Sequence, residues 1–172
     1  DFKVGGQLVK QTHMFFGSEK QYASTRGINI ANILIDDVFN KSDYIEVMTE
    51  ATVVGLYNDN IITVLCKEKY IKIKAKAIIV ATGASEKFLA FENNDLPGIY
   101  GAGAVQTLMN VHGVLPGQKV VMVGSGNIGL IVSYQLLQAG VDVVRGIEAA
   151  KNIGGYNVHA SKLRWLGVEI KT

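Results

Sequence analysis

A short apolar strand that breaks into a glycine-rich turn and continues as a helix most constrains the fold of this chain. The segment Lys119–Val123 leads into a G-x-G-x-x-G turn, whose members are Gly124, Ser125, Gly126, Asn127, Ile128 and Gly129. In such a turn the glycines permit a tight reversal, close approach of the main chain to a pyrophosphate, and close packing of the helix on the strand. The free N–H groups of the helix N-terminus favour the negative charge of the phosphates. The pattern therefore predicts a dinucleotide-binding site at this turn.

The residues after the turn support this interpretation. Apolar side chains recur with the spacing of one buried helix face, at Ile128, Ile131, Val132, Leu136 and Leu137. A second apolar strand is predicted over residues 141–144. Glu148 follows that strand, about 20 residues after the last glycine, where a carboxylate can accept hydrogen bonds from both ribose hydroxyls. We expect Glu148 to bind the ribose; the alternative is a plain βαβ unit in which Glu148 faces solvent.

The same carboxylate predicts which dinucleotide is preferred. Glu148 would repel a 2′-phosphate and accept hydrogen bonds from an unmodified ribose, so NAD is expected over NADP. Arg145 lies inside the predicted second strand and is therefore poorly placed to hold that phosphate.

Composition limits the partners and the compartment. The 172-residue chain has a formal net charge of +2, which gives no electrostatic reason to expect a nucleic-acid partner. No apolar run reaches the length of a membrane span, and the single Cys66 excludes an internal disulfide. No ligand spacing predicts a metal site. We expect a cytoplasmic protein with a small-molecule substrate and no membrane partner, and we expect the chain to be a fragment.

The remaining sequence predicts a mixture of helices and strands. A helix is predicted over residues 28–39, and a β-meander follows with strands at 44–47, 52–57, 61–66 and 70–75. Residues 77–81 form a continuous apolar run, typical of a strand buried on both faces of a parallel sheet. A polar linker then ends at Gly98, which we take as the domain boundary, and a helix is predicted over 103–111.

Three motifs, in this order along the chain, resemble a known family. Gly5-Gly6-Gln7-Leu8 resembles the segment that passes the flavin in the pyridine nucleotide-disulfide oxidoreductases, the two-dinucleotide flavoproteins related to thioredoxin reductase. Ala81-Thr82-Gly83 resembles the A-T-G that closes their flavin-domain meander, and the turn at 124–129 resembles their NAD(P) fingerprint. Looser matches resemble a branch with sarcosine oxidase α subunits, hydrogen cyanide synthase, and opine or proline dehydrogenase subunits; they lie at residues 11–13, 15–18, 96–100 and 154–156.

The resemblance implies an α/β fold with two partial Rossmann-like dinucleotide-binding domains. Residues 1–98 would be a partial FAD-binding domain with the β-meander, and residues 99–172 a partial NAD(P)-binding domain. The residues implied to face FAD are Gly6, Gln7, Thr82 and Gly83. The strand, turn and acidic residue that hold the ADP half of FAD are expected before Asp1, so the isolated chain is expected to bind FAD weakly and to be inactive.

Cysteine usage argues against a disulfide substrate. Disulfide reductases of this fold need two thiols, and the two places where the family carries them, residues 7–11 and 104–108, contain no cysteine. Cys66 is interpreted as a packing residue. The resemblance then implies an FAD- and NAD(P)-dependent oxidoreductase that passes electrons between a pyridine nucleotide, FAD and a non-disulfide substrate, such as an amine or imino acid. His13 lies beside the flavin segment by resemblance and either orients a substrate or is an ordinary loop histidine.

The catalytic residues and the assembly stay open at this point. The α-subunit resemblance implies a partner subunit, and association of identical chains is the other arrangement. A non-catalytic nucleotide-binding subunit of a hetero-oligomeric oxidase or dehydrogenase is the alternative function, because in such complexes substrate oxidation can belong to another subunit.

Overall fold

A computed structural model describes residues 3–15 and 17–172 of the chain. Asp1, Phe2 and Phe16 lie outside the described residues, so the match predicted at 15–18 is described only in part. The chain divides into two compact units: the first contains the described residues of 3–9 and 15–84, and the second contains residues 10–14 and 85–172. The assignment of a cofactor to each of the predicted domains, 1–98 and 99–172, stays a prediction.

The first unit combines a helix with an antiparallel three-stranded meander. Its elements are α1 (Gly27–Phe39), β1 (Ala51–Tyr57), β2 (Ile61–Cys66) and β3 (Lys69–Lys74). The central strand β2 pairs with both neighbours and carries the buried Val64. Isoleucine and lysine alternate in β3, so the isoleucines are half-buried and the lysines are exposed. The helix and these three strands form close to their predicted bounds.

The strand predicted at residues 44–47 is wrong. These residues form no strand, and the backbone N–H groups of Tyr44 and Ile45 both donate to the carbonyl of Lys41, at 2.9 and 3.0 Å. The Tyr44 side chain is 92% exposed. The segment continues as a turn from the end of α1 because its hydrogen bonds are local, and a strand would need a partner that the described residues of this unit do not provide.

The strand predicted at residues 77–81 is also wrong. This run has no regular secondary structure, and Ile79 and Val80 are 91% and 72% exposed. A strand buried on both faces needs parallel neighbours. Within the described residues of this unit, the strands pair only with one another, as the antiparallel meander. The run is apolar, as a strand buried on both faces would be. The described residues of this unit do not form the parallel pairing that such a strand requires.

The second unit is built from consecutive β-α-β crossovers. Its elements are α2 (Ala102–Asn110), β4 (Lys119–Val123), α3 (Asn127–Gln138), β5 (Asp142–Ile147), α4 (Asn157–Trp165) and β6 (Glu169–Lys171). β5 pairs in parallel with β4 on one side and with β6 on the other. The predicted α/β fold is confirmed. None of the helices in the described ranges is long and apolar enough to span a membrane.

The core of the second unit lies where α3 and α4 pack against the sheet. Leu136 on α3 and Leu163 on α4 are 1% and 2% exposed, and Val132 and Val141 are as deeply buried. Burying a leucine side chain in this way contributes roughly 2 kcal/mol each. The packing fixes α3 against β4 and β5, and therefore fixes the turn between β4 and α3.

The segment Lys10–Met14 is attached to the second unit by polar side chains. The amide of Asn110 donates to the Lys10 carbonyl at 2.6 Å, and the amide of Gln135 donates to the Thr12 hydroxyl at 3.0 Å. Gln135 also accepts at 3.0 Å from the amide of Gln106, and both glutamines are 5% exposed. Because buried amides are costly to leave unpaired, this chain of bonds fixes the segment on α2 and α3.

The linker before α2 also contributes to the second unit. It contains no helix or strand over residues 85–98, and the Glu86 carboxylate accepts from the N–H groups of Ala102 and Gly103, at 2.8 and 2.9 Å. These are two of the N–H groups that a helix leaves without an intrahelical partner. A carboxylate here also interacts favourably with the helix dipole. Glu86 therefore caps α2 from a distant part of the sequence.

Candidate functional site

The glycine turn lies between the carboxyl end of β4 and the start of α3. Gly124 has φ +99°, a backbone conformation that L side chains rarely adopt. Its N–H donates to the carbonyl of Ile147, the last residue of β5, at 2.7 Å. A Cβ added to Gly129 on α3 would collide with the carbonyl oxygen of Gly124. The first and last glycines of the motif thus permit the reversal and the close packing for which the sequence predicted them.

The N-terminus of α3 presents donors beside open space. Gly126 precedes the helix with φ −67° and provides no side-chain cap. A Cβ built on Gly126 would meet nothing within 4 Å. No group in the described part of the chain accepts a hydrogen bond from the N–H of Asn127 or Ile128. Such N–H groups, together with the helix dipole, form the arrangement that binds a phosphate.

Glu148 lies at the end of β5, directly beside the turn. Its Oε2 accepts from the backbone N–H of Ser125 at 2.9 Å and from the Ser125 hydroxyl at 2.6 Å, and its Oε1 accepts from the N–H of Ala150 at 3.0 Å. The Glu148 N–H donates to the carbonyl of Lys171, which anchors the residue to the neighbouring strand. The structure therefore brings together Glu148 and the glycine turn, although they are separated in the sequence.

These donors determine the charge of Glu148. The Ser125 hydroxyl contributes most, followed by the N–H groups of Ala150 and Ser125, and together they lower the pKa of the Glu148 carboxyl to about 2. Partial burial acts in the opposite direction and is outweighed. The carboxylate is consequently ionised at any pH at which a protein of this kind works.

A second pair of glycines, Gly154-Gly155, lies against the turn. The Gly155 N–H donates to the Ser125 carbonyl at 2.8 Å, and the Tyr156 N–H donates to the Asn127 side-chain oxygen at 2.8 Å. A Cβ at Gly155 would lie 2.9 Å from the Asn127 backbone nitrogen, closer than such contacts occur. In the sequence, this pair contributes only to a loose family match. Two adjacent glycines shortly after Glu148 were the available signal.

A family model described as pyridine nucleotide-disulphide oxidoreductase matches residues 4–171. The chain belongs to this family. The membership confirms the resemblance that the sequence motifs predicted, and it makes the chain part of an oxidoreductase family.

The chain is also similar to known oxidoreductases. The sarcosine oxidase subunit alpha of Rhizobium meliloti (strain 1021) is 29% identical over 124 residues, which is 64% of this chain and 13% of that protein. The crystal structure of L-proline dehydrogenase from P. horikoshii has a TM-score of 0.68 and 25% identity, covering 88% of this chain and 30% of that one. T. acidophilum thioredoxin reductase has the same TM-score, 0.68, at 17% identity, covering 97% of this chain and 52% of that one, and it shares the fold. This chain therefore spans only part of the length of each.

The family residues predicted to face a flavin are not joined to one another. Gly6 and Gln7 are exposed at the start of a 3-10 helix, Gly6–Lys10, and Thr82 and Gly83 are exposed in the irregular segment after β3. No hydrogen bond connects the two pairs in the described part of the first unit. Their predicted role in FAD binding stays a prediction.

Two histidines of the second unit, His13 and His159, have pKa values below the ordinary value of the imidazole. Burial, followed by the positive charges of His159 and Lys162, lowers the pKa of His13. Burial and Lys162 lower the pKa of His159, which is nearly buried on α4. Over residues 3–15 and 17–172, no group of three or more potential ligands is placed to hold a metal ion. Neither histidine is assigned a chemical role.

Arg145 is engaged away from the turn. It lies within β5, as predicted, and its guanidinium contacts the Glu169 carboxylate of β6 at 2.6 Å. The ion pair is exposed and contributes little to stability. The expectation that Arg145 is poorly placed to bind a 2′-phosphate stays a prediction.

Proposed function

We propose that the glycine turn and Glu148 bind NAD in an FAD-dependent oxidoreductase. The observation that carries the proposal is the fixed, ionised Glu148 carboxylate beside the open N-terminus of α3. Gly126 leaves room for a pyrophosphate, and the N–H groups of Asn127 and Ile128 are available to bind it. The site therefore offers donors for the phosphates and an acceptor for the ribose, which is the donor set that a dinucleotide requires.

The proposed reaction passes electrons between NAD, FAD and a small-molecule substrate that is not a disulfide. A bound flavin would supply the hydride chemistry, and we propose that Gly6, Gln7, Thr82 and Gly83 face it. The residues of this chain bind and orient the nucleotide, and Glu148 holds its charge fixed next to the ribose. No proton-transfer residue is assigned. A cysteine without a second thiol suits a reducing compartment, and we propose the cytoplasm.

The names of the relatives support an amine substrate. Sarcosine and proline, which appear in the names of two similar proteins, are both amino acids with a secondary amine. We therefore propose an N-substituted amino acid or the corresponding imino acid as the substrate class. Sarcosine oxidase subunit alpha is named as one subunit of a larger enzyme, so we also propose a partner subunit.

The name sarcosine oxidase subunit alpha also supports a second candidate function, that of a nucleotide-binding subunit without its own redox chemistry. Anaerobic addition of NADH to the purified full-length protein separates the two. An electron-transfer role predicts loss of the oxidised flavin absorbance band at a rate compatible with turnover. An unchanged spectrum with NADH bound would favour the non-catalytic subunit.

Substitution of Glu148 tests the nucleotide site. We expect the full-length protein to bind NAD(H) more tightly than NADP(H), and we expect Glu148→Gln to reduce that preference about tenfold or more, because a charged acceptor is replaced by a neutral amide. The ratio of the two dissociation constants, measured by calorimetry, gives the result. Asp142→Asn is the matched control, since it removes a carboxylate at the opposite end of β5. A wild-type preference for NADP(H), or an unchanged ratio in Glu148→Gln, would show the assignment to be wrong.

Cys66→Ser is expected to leave electron transfer nearly unchanged. The thiol lies half-buried in β2, its Sγ approaches the Thr49 carbonyl at 3.8 Å, and the 172 residues contain no second cysteine. Stability should change by less than about 1 kcal/mol. Steady-state turnover and a thermal melt of the variant provide the measurement. A large loss of turnover with an unchanged melting temperature would assign a chemical role to Cys66.

A further inference from the structure

We propose that Ser125 is a positioning residue that holds the Glu148 carboxylate in one orientation and thereby sets the preference between NAD and NADP. The proposal rests on the proposed nucleotide site at the glycine turn. The turn as a whole is proposed to bind the nucleotide, whereas the Ser125 side chain acts through Glu148.

The geometry makes Ser125 the residue that joins three segments. Its hydroxyl and its N–H both donate to Glu148 Oε2, at 2.6 and 2.9 Å, and its carbonyl accepts from Gly155 at 2.8 Å. The residue is only 2% exposed, so water cannot readily replace these bonds. The turn, the end of β5 and the glycine pair before α4 are therefore held together at Ser125.

The hydroxyl limits both the movement and the free capacity of the carboxylate. A carboxylate offers about four acceptor positions, and the hydroxyl and two N–H groups already occupy three of them. The Ala149 N–H also acts on this carboxylate, so the protein itself occupies most of its acceptor positions. The expectation that Glu148 accepts hydrogen bonds from both ribose hydroxyls stays a prediction. Discrimination then depends on a negative charge that cannot swing away from a 2′-phosphate.

Loss of the Ser125 hydroxyl lets the Glu148 carboxylate rotate, which reduces its repulsion of a 2′-phosphate. In Ser125→Ala the carboxylate keeps its charge at pH 7 but can rotate away from a 2′-phosphate. We expect the ratio of NADP to NAD dissociation constants to fall about fivefold, which is less than in Glu148→Gln, because a charge-assisted hydrogen bond is lost while the charge remains. Ser125→Thr retains a hydroxyl and should restore the wild-type ratio.

The pH dependence distinguishes positioning from simple support of the fold. Without the strongest donor, the pKa of Glu148 rises from about 2 towards its ordinary value of 4.5. Because the backbone N–H donors remain, the pKa stays below 4.5, so a minor fraction of the Ser125→Ala carboxylate is protonated near pH 4.5, whereas that of the wild type stays ionised. The 2′-phosphate itself titrates near pH 6 and therefore changes the affinity for NADP in both proteins. The variant and the wild type are compared at the same pH, where the charge of the phosphate is the same for both.

Calorimetric titration of the full-length protein with NAD and NADP, from pH 7 to 4.5, tests the proposal. Ser133→Ala is the matched control: Ser133 is also 2% exposed and lies on α3, but it makes no contact with Glu148. In Ser125→Ala we expect a lowered ratio of the NADP to NAD dissociation constants, and this ratio should fall further towards pH 4.5. The ratios of Ser133→Ala and Ser125→Thr should equal that of the wild type. Circular dichroism at each pH confirms that the variants remain folded.

The other outcomes separate this proposal from the one on which it rests. If the wild type binds neither nucleotide, the proposed function fails and the role of Ser125 fails with it. If the wild type prefers NAD but Ser125→Ala matches Ser133→Ala, the role of Ser125 alone is overturned. Equal weakening of both nucleotides by Ser125→Ala would likewise overturn it, because the residue would then support the turn without affecting the choice of nucleotide.

Discussion

Gly129→Ala is expected to destabilise the second unit by about 3 kcal/mol and to abolish measurable dinucleotide binding. The added Cβ would overlap the Gly124 carbonyl oxygen, and neither the turn nor the first residues of α3 can move freely, because α3 is packed through Val132 and Leu136. The cost is therefore at the upper end for an overpacked site. Urea denaturation, with hydrogen exchange of the α3 amides as the local measure, gives the loss of stability.

Gly126→Ala is the matched control for that prediction. Its Cβ would meet nothing within 4 Å, and its φ of −67° suits alanine, so stability should fall by less than about 1 kcal/mol. Nucleotide affinity should nevertheless fall about tenfold or more, since the methyl group would occupy the place where the main chain approaches the pyrophosphate. Equal stability losses in the two variants, or full affinity in Gly126→Ala, would contradict the assigned roles of these glycines.

Gly155→Ala is expected to cost about 2 kcal/mol and to weaken nucleotide binding. A Cβ there would lie 2.8 Å from the Leu130 Cδ1 and 2.9 Å from the Asn127 nitrogen, so the segment must shift. That shift would break the hydrogen bonds from Gly155 to Ser125 and from Tyr156 to Asn127. The substitution would therefore alter the conformation of the turn, although the sequence of the G-x-G-x-x-G motif is unchanged.

The neighbouring Gly154→Ala is its control. A Cβ at Gly154 would lie 3.9 Å from the nearest atom, the Gly126 Cα, which is an ordinary contact. Denaturation and nucleotide titration of the two alanine variants should therefore differ clearly, with Gly154→Ala close to the wild type. If both variants behave alike, the close approach of Gly155 to α3 has no energetic importance.

The β4–α3–β5 part of the fold could be predicted because its signals are local. An apolar strand, three spaced glycines and a helix with one apolar face act within about 25 residues, and their order leaves one right-handed arrangement. The strand predicted at 77–81 failed for the opposite reason. Its apolar run specifies burial, but a strand forms only when neighbours supply hydrogen-bond partners, and sequence cannot show whether they are present.

The candidate site was predictable in its members but not in its connections. Sequence placed Glu148 at the end of a strand and Ser125 in the turn, since both positions follow from the motif. The bonds between them join residues far apart in the chain, and they arise only because β4 and β5 pair in parallel. The position of Gly155 depends in addition on how α4 packs against α3, which no local pattern encodes.

The attachment of Lys10–Met14 to α2 and α3 has a consequence for dividing the protein into separately expressed parts. A polypeptide that begins at Ser85 would contain every helix and strand of the second unit, yet it would lack this segment. The amides of Gln135 and Asn110 would then lose the acceptors at Thr12 and Lys10. Polar groups would be exposed on α2 and α3, so the second unit cannot be expressed as one continuous segment without a loss of stability. Adding a peptide with the sequence of the missing segment should repair such a truncated polypeptide, as a detached strand completes a split protein.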